Sequence, residues 1–302
     1  MSNFVIQCKF FMFWLRNLCL LLIAVWVFFF ANSASALTIS PALFDLEMSP
    51  GEKSVKEIVL FNETNQSLNL AAITENFESG RNNVPKFLGK TDKTGAAYWI
   101  TPREPQITIA SGERKKIILD IAAPLDAEPG GHYAALFWTE ATSDSNGIKT
   151  FNRLGSLFLF KVKGNIKEEL KIIDFTAKKD NGQVKIFLNL ENSGTVHSQP
   201  VGQVKIFNLR RQQIAVLPIN PLKQKILPQS RRNFEFNWQL ENGSWGNLFI
   251  EAKFFYGDNK IIDSERLKIW LWPAKLGQYA AGGAAILLLL FVIGKLTKKR
   301  KK

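Results

Sequence analysis

The chain has 302 residues, 46% hydrophobic, with 39 basic and 26 acidic residues and a net charge of +13. Six of the cations lie in the last eight residues, Lys295 to Lys302, and two, Lys9 and Arg16, near the start, in segments without acids. The remaining 31 against 26 acids is a surplus of five, which removes the argument for nucleic acid and suits wall polymers or anionic lipid headgroups.

Residues 1–36 read as a signal peptide. Lys9 and Arg16 precede an apolar stretch from Leu18 to Ala31, and Ala34-Ser35-Ala36 supplies the small-x-small pattern of a signal peptidase site. An uncleaved N-terminal anchor is the alternative. Both cysteines, Cys8 and Cys19, belong to this leader, so the rest of the chain can form no disulfide. A disulfide-free exported chain points to a bacterial cell surface.

From Leu37 onward nearly every segment alternates with period two, the strand signal. Phe44, Leu46 and Met48 lead to a turn at Pro50-Gly51. Val55, Val59 and Phe61 form a strand that ends in polar residues 62–67, where Asn62-Glu-Thr64 matches a glycosylation acceptor but reads as a turn. Residues 78–97 are polar and glycine-spotted, an inserted loop. Ile117, Leu119 and Ile121 make a clean strand, residues 133–139 an aromatic one, and 144–147 a hairpin tip whose return strand is 157–162. A second series follows from Ile166: residues 170–175, Val184 to Leu190, Val204 with Ile206, Ile214 with Val216, Phe234 to Trp238, Leu248 to Phe254, and Leu267 to Leu271.

No amphipathic helix of normal length interrupts this pattern. Short strands at such spacing predict an all-β chain of two tandem immunoglobulin-like β-sandwiches, 37–164 and 165–273, with about seven strands each. The short junction at 164–167 implies limited swing between them. Leu276 to Gly294 is uncharged and about long enough for a single transmembrane helix, assigned to 274–295. Lys298, Lys299, Arg300, Lys301 and Lys302 then fix a basic cytoplasmic tail, 296–302, by the positive-inside rule. Trp270, Trp272 and Tyr279 flank the other side, at the level where amphipathic rings settle. The bulk of the chain is expected outside the membrane, extracellular or periplasmic.

Ile39-Ser-Pro-Ala-Leu-Phe44, the Pro50-Gly51 turn, Ile100-Thr-Pro102 and Ala110-Ser-Gly-Glu-Arg-Lys115 together resemble the first domain of periplasmic pilus chaperones and their major-sperm-protein-like relatives. Pro129-Gly-Gly-His-Tyr-Ala-Ala135, followed by a second sandwich, one membrane helix and a lysine-rich tail, is similar to the WxL-interacting surface proteins of bacteria. That likeness implies a first domain associated with peptidoglycan and a second with other ligands. The chaperone likeness would call for an arginine near Ala42 and Leu43, which cannot hold a carboxylate.

Sequence motifs give no ground for catalysis. The two histidines, His132 and His197, belong to no metal-ligand spacing, and Asn242-Gly-Ser-Trp-Gly246 only looks like a nucleophile elbow. No enzyme, cofactor or metal is expected. Binding has better candidates. Arg210, Arg211, Lys223, Lys225, Arg231 and Arg232 could converge on phosphate-bearing wall polymer. Trp99, Tyr133, Phe137 and Trp138 form either an aromatic platform or core. Leu157, Phe158, Leu159, Phe160 and Val162 are a candidate edge strand that a partner protein could pair with. The expected function is non-catalytic binding of wall polymer or of another surface protein. A membrane-tethered assembly chaperone acting by edge-strand donation is the alternative.

Overall fold

The computed structural model describes residues 36–80, 84–89, 95–140, 153–240, 246–258 and 260–272, with Asn17 and a few residues between 282 and 291. The leader apart from Asn17 and its last residue, the hairpin tip at 144–147, Tyr279, and the tail cations Lys298, Lys299, Arg300, Lys301 and Lys302 lie outside the described residues.

The described chain is built of strands, as the alternation requires. In the N-terminal half, β1 (Leu37–Ser40), β3 (Lys53–Asn62), β8 (Arg114–Ala122) and β6 (Ile100–Pro102) form one sheet in the order β1-β3-β8-β6. A second sheet has the order β2-β10-β9-β4-β5, from β2 (Leu43–Met48), β10 (Arg153–Val162), β9 (Gly130–Glu140), β4 (Leu68–Ser79) and β5 (Pro85–Phe87), with β7 (Gln106–Ile109) also on β4. Their inward rows meet in one core: Ile58, Leu60, Ile117 and Leu119 from the first, Leu136, Trp138, Phe158 and Phe160 from the second.

The C-terminal half repeats the plan. β11 (Leu170–Asp180), β12 (Gln183–Asn192) and β15 (Ser230–Gln239) form one sheet. The other has the order β14-β13-β16-β17, from β14 (Gln213–Ile219), β13 (Val201–Phe207), β16 (Gly246–Tyr256) and β17 (Lys260–Asp263), with β18 (Leu267–Leu271) on β16. In β12 every second residue is buried, Val184 through Asn192, which is the period-two rule made physical. These residues pack on Val204, Ile206, Ile250 and Phe254 in a separate core. Among the described residues, ten and eight strands stand where about seven were expected in each half. Strands as short as β1, β5, β6 and β17, of three or four residues, carry too few alternations to register in a sequence.

Gly202 marks a close approach of β13 to β16. A Cβ there would lie 2.1 Å from the Lys253 carbonyl oxygen and 2.5 Å from Phe254 Cα. Gly202→Ala should therefore destabilise the C-terminal half by about 1–3 kcal/mol, the range for overpacking, read as a lowered thermal midpoint.

Two expectations need correction, and one open alternative is decided. Leu157, Phe158, Leu159, Phe160 and Val162 are not an edge: β9 pairs antiparallel on one side and β2 parallel on the other, from Leu157↔Leu43 to Val162↔Met48. Phe158 and Phe160 are fully buried besides. The sequence hides this because the partner strand lies far upstream. The loop at 78–97 is partly structured, since β4 continues to Ser79 and turns into β5, pairing Phe77 with Phe87, while Ala96 to Trp99 form a 3-10 turn. Trp99 and Trp138 are core, while Tyr133 and Phe137 face the other side of β9, against Phe77 and Phe87, so the four make no platform.

Asn62 is completely buried. Its Nδ2 donates to the Gln66, Ile109 and Ala110 carbonyls and its Oδ1 accepts from the Thr64 amide, which makes it the organiser of the turn. Asn192 does the same between halves of the second unit, donating to Val196 and Ile226 carbonyls and accepting from the Gly194 amide. Asn192→Ala strands those groups and should cost about 2–3 kcal/mol in denaturant unfolding.

No helix of the described residues is long and apolar enough to cross a membrane. The described residues within the expected span are helical, and Ile286, Leu287, Leu288, Leu290 and Phe291 are 58% to 69% exposed.

Candidate binding cleft

The two sandwiches meet through residues that their own strands turn outward. β2 buries Met48 and directs Asp45 to the opposite face. There Asp45 meets two groups from loops of the C-terminal half. His197 Nε2 donates to Asp45 Oδ1 at 2.8 Å, and Lys225 Nζ pairs with Oδ2. A carboxylate only accepts, so Nε2 carries the proton, leaving Nδ1 to face the Tyr133 hydroxyl at 3.5 Å. The His197 hydrogen bond, with help from Lys225, holds the Asp45 carboxyl well below its usual range despite partial burial. Burial pushes the Tyr133 hydroxyl up, which keeps it a neutral phenol.

Two further contacts complete the joint. Lys161 Nζ pairs across the joint with Glu168 Oε1 at 2.6 Å, and Glu168 is braced within its own half by Lys260 Nζ, which donates to its carbonyl at 2.7 Å. Leu227 joins Phe77, Ala135 and Leu159 in a small apolar cluster. The connecting segment is itself pinned, because Thr195 N donates to Lys167 O at 2.7 Å and Gly131 N to Thr195 O at 2.8 Å. Charge, hydrogen bonds and an apolar plug thus tie the two halves together.

Beside this joint lies a cleft of about 710 Å³ with walls from both halves: Ser79 and Gly80 at the end of β4, and Asn189, Arg231, Arg232 and Asn233 across from them. Arg231 Nε holds Glu191 at 3.1 Å. Arg232, the next residue along β15, starts on the opposite strand face, where Nη1 donates to Gln224 Oε1 and a buried Nε has no partner among the described residues. Burial lowers its basicity.

The six cations read as one patch therefore separate. Lys225 belongs to the Asp45 joint, Arg231 and Arg232 to the cleft, and Lys223 to the loop that follows β14. Arg210 and Arg211 lie in the turn that precedes β14, whose seven residues span roughly 20 Å. Loop-borne cations carry no strand register, so sequence could not sort them. The joint was missed for a related reason: Asp45, His197 and Lys225 come from three distant segments with no shared motif.

The joint's chemistry is structural. His197 and Asp45 form a histidine–carboxylate pair, but Lys225 shares the carboxylate and the nearby hydroxyl is a phenol kept protonated. His132 binds the Glu128 carbonyl at 2.8 Å and packs on Trp99, away from any such pair. Among the described residues no group of three or more metal-ligating side chains is placed to hold an ion.

No protein-family model matches the chain, and no curated protein does. Among solved structures, the class 5 fimbriae chaperone CfaA is similar over 79% of this chain and 100% of its own, at 12% identity and a TM-score of 0.40. The CsuC–CsuE chaperone–tip subunit pre-assembly complex of Acinetobacter baumannii is similar over 66% and 89%, at 12% identity and 0.35. A Porphyromonas gingivalis W83 protein of unknown function matches over 78% and 99%, at 15% and 0.31. Likenesses of this size carry no argument about activity, and the fold rests on the strand pairing above.

Proposed function

We propose that the chain is a non-catalytic binding protein of the bacterial cell surface, made of two immunoglobulin-like domains, 37–164 and 165–273. Residues 274–295 serve as its membrane helix and 296–302 as its cytoplasmic tail. The observation that supports binding is the cleft with walls from both halves, beside a joint that holds them at a set angle. Preorganised walls lose little freedom on binding, which favours a partner or wall polymer lying across them. The exposed aliphatic residues at 286–291 support the anchor.

The test is retention of the detergent-solubilised full chain on isolated wall material. Binding should saturate and weaken about fivefold to tenfold when Arg231→Ser and Asn233→Ala are combined, the scale of one lost charge-assisted contact. Unchanged retention by a folded variant removes the cleft from the reading.

One observation favours a second reading, in which the chain pairs with an extended partner segment. The β2 ladder begins at Leu157, and Ser156 is buried with its Oγ donating to the Pro41 carbonyl at 2.6 Å, so Arg153 to Gly155 of β10 lie beyond it. Amide exchange at 153–155 should then slow when a partner protein binds; protection confined to the cleft rules this reading out.

A further inference from the structure

Of the cations that do not reach the cleft, Arg210 and Arg211 lie at the opposite end of the C-terminal half. β16 runs from Gly246 at that end to Tyr256 beside the joint. Its register places Asn247 against Trp270 of β18 and Phe249 against Phe207 of β13. The β13–β14 turn, with Leu209, Arg210 and Arg211, therefore projects past Phe207 at the Gly246 end. The β11–β12 tip, with Lys178, Lys179 and Asp180, is there too: Lys179 Nζ donates to the Trp272 carbonyl at 3.3 Å.

This surface is unusual for a strand end facing water. Leu209 is 66% exposed, Trp270 48% and Trp272 62%, and the two indoles meet edge to face at 6.1 Å. Arg210, Arg211 and Lys179 are exposed at the same end, while Lys178 turns away over the Phe187 ring at 5.4 Å. The described carboxylate at the tip, Asp180, is already taken by Lys185 at 2.8 Å. Exposed indoles within a ring of cations match the headgroup layer of an anionic bilayer, where rings settle at the interface and cations meet lipid phosphates.

Chain length brings the two together. The uncharged run begins at Leu276, four residues after Trp272, a reach of at most about 14 Å. With that run in the bilayer, this end is held close to the headgroups, near the distance over which salt screens their charge.

We infer that this end is a docking surface for anionic lipid headgroups, resting on the membrane anchor proposed above. Trp270, Trp272 and Leu209 enter the interfacial layer, and Arg210, Arg211 and Lys179 contact phosphate. The sandwich then stands on the membrane with its cleft at the far end, roughly 35 Å away along the eleven residues of β16.

The test uses the full chain in a Cys8→Ser, Cys19→Ser background, with a spin label at Leu209→Cys. The protein is reconstituted into phosphatidylcholine vesicles with or without phosphatidylglycerol. With phosphatidylglycerol, accessibility to an aqueous nickel chelate should fall severalfold and accessibility to oxygen should rise. Replacing Arg210, Arg211 and Lys179 by Ser, or adding salt, should reverse both changes. A chain that floats with the vesicles while its label stays water-accessible overturns the docking surface and leaves the anchor standing. A chain that fails to float overturns the anchor and this inference with it.

Discussion

Phe158→Ala should lower the unfolding free energy by about 3–5 kcal/mol, the cost of emptying a fully packed aromatic site. Phe158 is 0% exposed, stacks on Phe44 of β2 at 4.6 Å and 11°, and lies 6.1 Å from Phe160. Its loss leaves a cavity at the one place where β2 is held parallel to β10, so the N-terminal strand should loosen first. Urea unfolding followed by circular dichroism measures the cost, and amide exchange in β2 locates it. Leu157→Ala, on the other face of the same strand and only half-buried, should cost clearly less. Equal costs would mean that β10 does not turn Phe158 into the core.

Asp45→Ala should weaken the joint by about 1–2 kcal/mol and increase relative motion of the two halves, with little change inside either core. Three values set the scale. His197 is only 4% exposed and loses its acceptor, Lys225 is 20% exposed, and Asp45 itself is 40% exposed, which discounts the loss through solvent screening. Asp45→Asn keeps an acceptor without the charge and should fall between wild type and Ala. Distances between labels on β8 and β14 report the motion; an unchanged distribution in Asp45→Ala would shift the joint to the Glu168, Gly131 and Leu227 contacts.

The pH dependence has a definite sign. The Asp45 carboxyl titrates lower in the folded chain than its ordinary value of about 3.9. Its contribution is therefore complete above that ordinary value and disappears as pH falls through the lowered one. The Asp45 contribution should not change with pH from neutral down to mild acid and should drop only under strong acid. The wild-type and Asp45→Asn curves should converge there.

Much of the strand content was legible in the sequence because alternation is a local property. β8, β12 and β16 show it without fault, and the described structure buries the rows it marks. The polar turn after β3 was legible too, as a turn rather than a modified asparagine. What could not be read was which strands are neighbours. A free edge at Leu157 to Val162 looks the same in sequence as a strand flanked on both sides, because β2 is supplied from the chain's beginning. The basic patch failed likewise: Arg210 with Arg211, and Arg231 with Arg232, are adjacent pairs in sequence, yet a whole hairpin arm separates the first pair from the second. Asp45, His197 and Lys225 carry no spacing rule at all, and only the packed pair of sandwiches brings them together.

The parallel ladder between β2 and β10 has a consequence for how the molecule is made. In an exported chain β2 crosses the membrane early, whereas its partner completes the sheet only once Val162 has followed. Until then β9 has one flank without its final neighbour, the kind of open ladder that invites pairing with another chain. Copies still in transit are thus exposed to pairing with one another, and arrival of the tenth strand closes that flank.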